Sequence, residues 1–89
     1  DEEVNRLRMM TEEIVTNIDK RFTIHDFRIV RGETHTNLIF DVVVPAELDL
    51  SATKLIHKIE KEIKAEDTNY YPVITVDKNY VSTCINGTI

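Results

Sequence analysis

Over residues 36–44, apolar side chains recur at every second position: Leu38, Phe40, Val42 and Val44. A period of two is the signature of a strand with one face toward a core. The intervening positions, Asn37, Ile39, Asp41 and Val43, make a second face of mixed character. Asp41 is the informative member of that face. A carboxylate in mid-strand, between Phe40 and Val42, is disfavoured in a sheet, so its face is either open to water or turned to a partner or a cation. Ile39 and Val43 flank the acid on the same face, as an interface rim would. Pro45 ends the strand.

The neighbours of this strand follow from it. Residues 22–30 are rich in β-branched and aromatic types, and Arg31-Gly32-Glu33-Thr34 breaks the run, with Gly32 as the turn residue. The two strands are expected to pair as an antiparallel hairpin. Ahead of them, Val4, Leu7, Met10 (or Met9), Ile14 and Ile18 recur at steps of three and four, which predicts a helix over about residues 2–18 with Asp1 as its cap. Thr11 and Asn17 lower its propensity a little. Beyond the hairpin, Ser51 is a suitable N-cap for a second helix whose apolar stripe is Leu55, Ile56, Ile59 and Ile63, with Lys54, Lys58 and Lys61 turned away and residues 66–69 ending it. Tyr71-Pro72 then leads into a third strand, Val73-Ile74-Thr75-Val76-Asp77.

The order α-β-β-α-β, with two one-sided helices, predicts an α+β two-layer sandwich: a ferredoxin-like arrangement lacking its first strand, both helices on one face of a three-stranded sheet. The crossover through the second helix should return parallel. One domain is expected over residues 1–81, with 82–89 as a mobile tail. Such a sheet keeps an open face and open edges, which are common routes to a dimer.

Composition narrows the function. Among 89 residues, 11 Lys plus Arg face 16 Asp plus Glu, a formal charge of −5. That balance argues against a nucleic-acid partner, because phosphates reward a basic face, and is compatible with a cation. No stretch approaches the ~20 apolar residues needed to span a bilayer. The chain begins with Asp1, which reads as a piece of a longer protein. Cys84 is the only cysteine, so neither an internal disulfide nor a paired-cysteine zinc site can form. Ser51 and Ser82 lie in no nucleophile elbow, and two glycines cannot build a phosphate cradle. An enzyme is not expected. Asn86-Gly87-Thr88 fits a glycosylation sequon, with nothing else to suggest secretion.

The remaining chemistry lies in imidazoles and carboxylates. His25 opens the first strand beside Asp26, Asp41 lies on the second and Asp77 closes the third. Neutral imidazole and carboxylate on neighbouring strands are suited to a divalent metal, although each taken alone reads more readily as a surface or hydrogen-bonded residue. His35 follows the hairpin turn, and His57 lies among lysines on the exposed side of the second helix. The lysines at 54, 58 and 61, interleaved with Glu60 and Glu62, read as a solvated helix face.

The runs Ile24-His25-Asp26-Phe27-Arg28-Ile29-Val30-Arg31-Gly32 and His35-Thr36-Asn37-Leu38-Ile39-Phe40-Asp41-Val42-Val43-Val44-Pro45 resemble the cytoplasmic C-terminal domain of the cation diffusion facilitator transporters, which export divalent metals. Ile18-Asp19-Lys20 and Ile74-Thr75-Val76-Asp77 fit the same pattern, and the likeness covers about residues 1–80. It implies a membrane-spanning domain in the same parent chain, placement on the cytoplasmic side of the cell membrane, a homodimer, and a divalent cation near its interface. Zinc is the first expectation, with manganese, iron and cobalt as alternatives. Carried over position by position, the metal ligands are His25, Asp41 and Asp77. Asp41 stands where many relatives have His. Thr75, and Thr53 on the second helix, replace further family histidines, which implies one weak site or none. The alternative from another class is a stand-alone ferredoxin-like sensor of a small molecule; the glycine-rich strand–helix turn that would favour it is missing.

Overall fold

The computed structural model describes residues 1–79. Helix α1 (Glu2–Ile18) is followed by strands β1 (Thr23–Arg31) and β2 (Thr36–Pro45), helix α2 (Ala52–Glu66) and strand β3 (Tyr70–Asn79). The expected α-β-β-α-β order is therefore the observed one. The tail expected at 82–89, Cys84 and the sequon lie outside the described residues.

Each boundary has a local cause. The Asp1 carboxylate accepts the Val4 amide at 3.0 Å, and Glu2 and Glu3 occupy the first turn, where the positive helix end favours acids. Ser51 caps α2 in the same way, its hydroxyl accepting the Lys54 amide at 3.2 Å. Both helices end on an extended aspartate, Asp19 and Asp67, whose amide still donates to the last turn. Asp19 then accepts the Arg21 amide and both ends of its guanidinium, which holds the Asp19 carboxyl down at about 2.

The sheet order is β1-β2-β3. β1 and β2 are antiparallel, β2 and β3 parallel. Leu38, Phe40, Val42 and Val44 are all 0–1% exposed and meet Val15, Leu55, Ile59 and Ile63 from the helices. The stripe of α1 is displaced from the expected one. Leu7, Thr11 and Val15 form its buried line, whereas Met10, Ile14 and Ile18 lie half-buried beside it. Thr11 is tolerated there because its hydroxyl donates to the Leu7 carbonyl at 2.8 Å, leaving no polar atom unpaired. β3 runs longer than the five residues expected from its apolar core, since pairing with β2 extends from Thr36–Tyr70 to Pro45–Asn79.

β1 carries the main irregularity. His25 faces Asp41, but Arg28 faces Ile39, so three steps on β1 match two on β2. Asp26, in the resulting bulge, has φ 55, a left-handed conformation that Asp tolerates better than most residues. The bulge restores the alternation on its far side: Phe27 turns toward the core, its ring 6.0 Å from that of Phe40.

Candidate metal centre

The helices cover one face of the sheet, and the other face shows twelve side chains in four rows across the three strands. The register sets the rows: Val30–Asn37–Tyr71, Arg28–Ile39–Val73, His25–Asp41–Thr75 and Thr23–Val43–Asp77. The first two hold most of the apolar groups. Val30, Val73 and Tyr71 are 53%, 51% and 46% exposed. The last two rows hold His25, Asp41 and Asp77. His25 and Asp41 are direct cross-strand partners. Asp77 stands on the next strand and one row on, a diagonal separation of roughly 7–8 Å between neighbouring strands.

The electrostatics of these rows centre on Asp41. Its carboxyl is held above the usual carboxylate range, first by partial burial, then by the charge of Asp77, and then by a hydrogen bond and repulsion from Asp26. Arg28 opposes this and favours the charged form. The guanidinium of Arg28 also donates to the Asp26 carbonyl at 3.0 Å, so it braces the bulge that brings Asp26 to Asp41. The His25 Nε2 lies 3.3 Å from the Thr23 hydroxyl in the next row. Thr75, opposite Asp41 on β3, offers a hydroxyl where an imidazole would be a stronger ligand.

The donors present are of the type that hold a borderline divalent cation, namely imidazole and carboxylate. Their number within one chain is short. Among the described residues, no group of three His, Cys, Asp or Glu side chains converges closely enough to hold a metal ion. His25 and Asp41 come together, and Asp77 makes its charge felt without joining them. Asp26 is the residue that reading the chain as alternating strand did not place in this group. An Asp inside a run of strand formers is itself a signal for a bulge, since Asp is depleted in strands and enriched in left-handed positions.

The other imidazoles lie elsewhere. His35 packs its ring on Tyr71, with centroids 4.3 Å apart, and Lys64 of α2 places its ammonium 3.3 Å from the centre of the same tyrosine ring. His57 is exposed on α2, as its position among lysines suggests. Thr53 is likewise exposed near the start of α2.

No family model and no curated protein matches this sequence. Solved structures do match its fold. A candidate zinc transporter, CzrB, superposes with a TM-score of 0.75 at 23% identity, over 88% of this chain and 94% of that one. Its zinc form gives 0.74 at 23% identity, over 88% and 86%. The metal-bound C-terminal domain of the CzcD transporter from Thermotoga maritima gives 0.62 at 19% identity, over 84% and 88%. At these identities the likeness is one of fold: two helices on one face of a three-stranded mixed sheet. No helix among the described residues is long and apolar enough to cross a membrane.

Proposed function

We propose that this chain is the cytoplasmic, metal-responsive dimerisation domain of a divalent-metal efflux transporter, and that it makes and breaks no covalent bonds itself. The observation that carries this reading is the uncovered sheet face. There His25 and Asp41 stand opposite each other, and partial burial, then Asp77 and Asp26, raise the Asp41 carboxyl above its ordinary value. The shared fold with a zinc-form transporter structure and a metal-bound transporter domain supports it.

On this reading, two copies pair through their open faces. Val30, Ile39, Val73 and Tyr71 supply apolar contact at one end. At the other end Asp26, Asp41 and Asp77 repel their counterparts, within a screening length of about 8 Å at physiological salt. A divalent cation supplies positive charge and bonds that one chain's donors leave incomplete. His25 and Asp41 from each copy would bind it, and Asp77 would hold the charge balance. Metal then favours the closed pair by no more than its differential affinity for that state, and the membrane domain of the same parent chain would feel the change. Zinc suits imidazole with carboxylate, and manganese, iron or cobalt are accommodated by the same donors.

Sedimentation velocity with and without zinc, together with titration calorimetry, tests this. The expected result is a zinc-dependent shift from monomer to dimer that His25→Ala and Asp41→Ala each weaken. A chain that stays monomeric at high concentration with zinc present, or variants that bind zinc as the parent does, would overturn the assignment.

A further inference from the structure

On the helical side, opposite the sheet face discussed above, α1 and α2 leave between them an open groove of about 340 Å³. Met10, Ile14 and Ile18 line it at successive turns of α1, half-buried and apolar. Glu13 on α1 and Glu62 and Glu66 on α2 stand along it, with Lys58 as the one cation in its wall. None of the three glutamates takes part in an ion pair among the described residues; the pairs there join Arg21 to Asp19 and Arg31 to Asp1 and Glu3. The groove is therefore a row of half-buried apolar side chains interrupted by Asn17, with a border of three glutamates against one lysine.

That combination selects its occupant. An anionic lipid surface or a nucleic acid would meet three carboxylates and be repelled. A single metal ion is a poor fit, since no three acidic side chains among the described residues converge on one point. An extended occupant with an apolar row flanked by positive charge satisfies both the floor and the border. From Met10 to Ile18 the floor runs about 12 Å at 1.5 Å per residue, the length of roughly two helical turns. We propose that the α1–α2 groove docks a lysine- or arginine-bearing amphipathic helix of a partner chain. The interaction is independent of the metal-responsive face, because it uses the opposite layer of the sandwich.

The test is fluorescence anisotropy with the 89-residue chain and a labelled helical peptide carrying leucines on one face and lysines on the other, with a glutamate-for-lysine peptide as its counterpart. The lysine peptide should bind saturably, one per chain, and weaken as salt is raised, while the glutamate peptide should not bind. Glu62→Lys with Glu66→Lys should weaken binding by roughly tenfold or more, the scale expected on reversing complementary charges. The charge-matched pair Glu33→Lys with Asp49→Lys, both exposed and outside the groove, should leave the affinity within about twofold, as distant rim charges do. Circular dichroism confirms that each variant is folded. Equal weakening by both pairs, or no saturable binding of the lysine peptide, would overturn the proposal; neither result bears on zinc binding.

Discussion

The two faces of the sheet answer the same backbone in opposite ways. On the helix side, β2 presents Leu38, Phe40, Val42 and Val44, and every one is sealed from water. On the other side the same strand presents Asn37, Ile39, Asp41 and Val43, all half-buried and mixed in polarity. The first face is governed by packing, where any loss of volume leaves a void. The second is governed by charge and partial hydration, where partial burial, Asp77 and Asp26 together raise the Asp41 carboxyl above its ordinary value. A face built only for folding would not concentrate like charges in this way. A face built to meet something else can.

The comparison is broken most forcefully by truncation. Phe40→Ala, at 1% exposure under both helices, should lose about 3–5 kcal/mol of stability in a denaturant melt, the range for deleting a buried aromatic ring. Val73→Ala on the open face should change stability by only about 0.5 kcal/mol or less, as surface substitutions do. A large loss at Val73 would mean that the open face is packed within the single chain.

A smaller effect is expected at the bulge. Asp26 holds φ 55, so Asp26→Val should cost about 1–2 kcal/mol, the penalty of placing a bulky L-residue in the left-handed region. Asp26→Gly should fold as well as the parent while removing a carboxylate that acts on Asp41. Paired melts of the two variants separate the backbone requirement from the carboxylate's electrostatic role.

The smallest effect is one of sign. Asp41 has its folded pKa raised above the ordinary 3.8, so its ionisation lowers stability as the pH rises through that interval. Asp41→Asn should therefore be the more stable form at neutral pH, with the difference vanishing in acid. Asp19 behaves oppositely. Held at about 2 from an ordinary 3.8, it contributes stability above the higher value that is lost as the pH falls between the two. Asp19→Asn should thus be less stable at neutral pH and equal to the parent in strong acid. Thermal melts across that pH range check both signs, and parallel slopes for the two variants would contradict the opposite electrostatic settings of Asp41 and Asp19.

Much of this molecule was legible before folding was considered. The alternation over residues 36–44, the caps Asp1 and Ser51 and the stripe of α2 are local patterns, and each is present where it is expected because its cause lies within a few residues of chain. The stripe of α1 lies about one residue from the centre its apolar spacing predicts. Thr11 is polar by type, and only its bond to the Leu7 carbonyl makes it a core residue. The candidate centre was legible in part. His25, Asp41 and Asp77 stand out by residue type and position, and the fold puts all three on one face.

What the sequence by itself determined is the order of elements and which side of each element seeks a core, since these depend on periodicity and capping along one strand of chain. Only the tertiary structure decided the register. It placed the bulge that turns Asp26 onto Asp41, lengthened β3 along its neighbour to Asn79, brought Lys64 and His35 onto one tyrosine ring, and opened the groove between the helices. Each of these is a meeting of residues far apart in the chain, and such meetings are set by how one element pairs or packs against another.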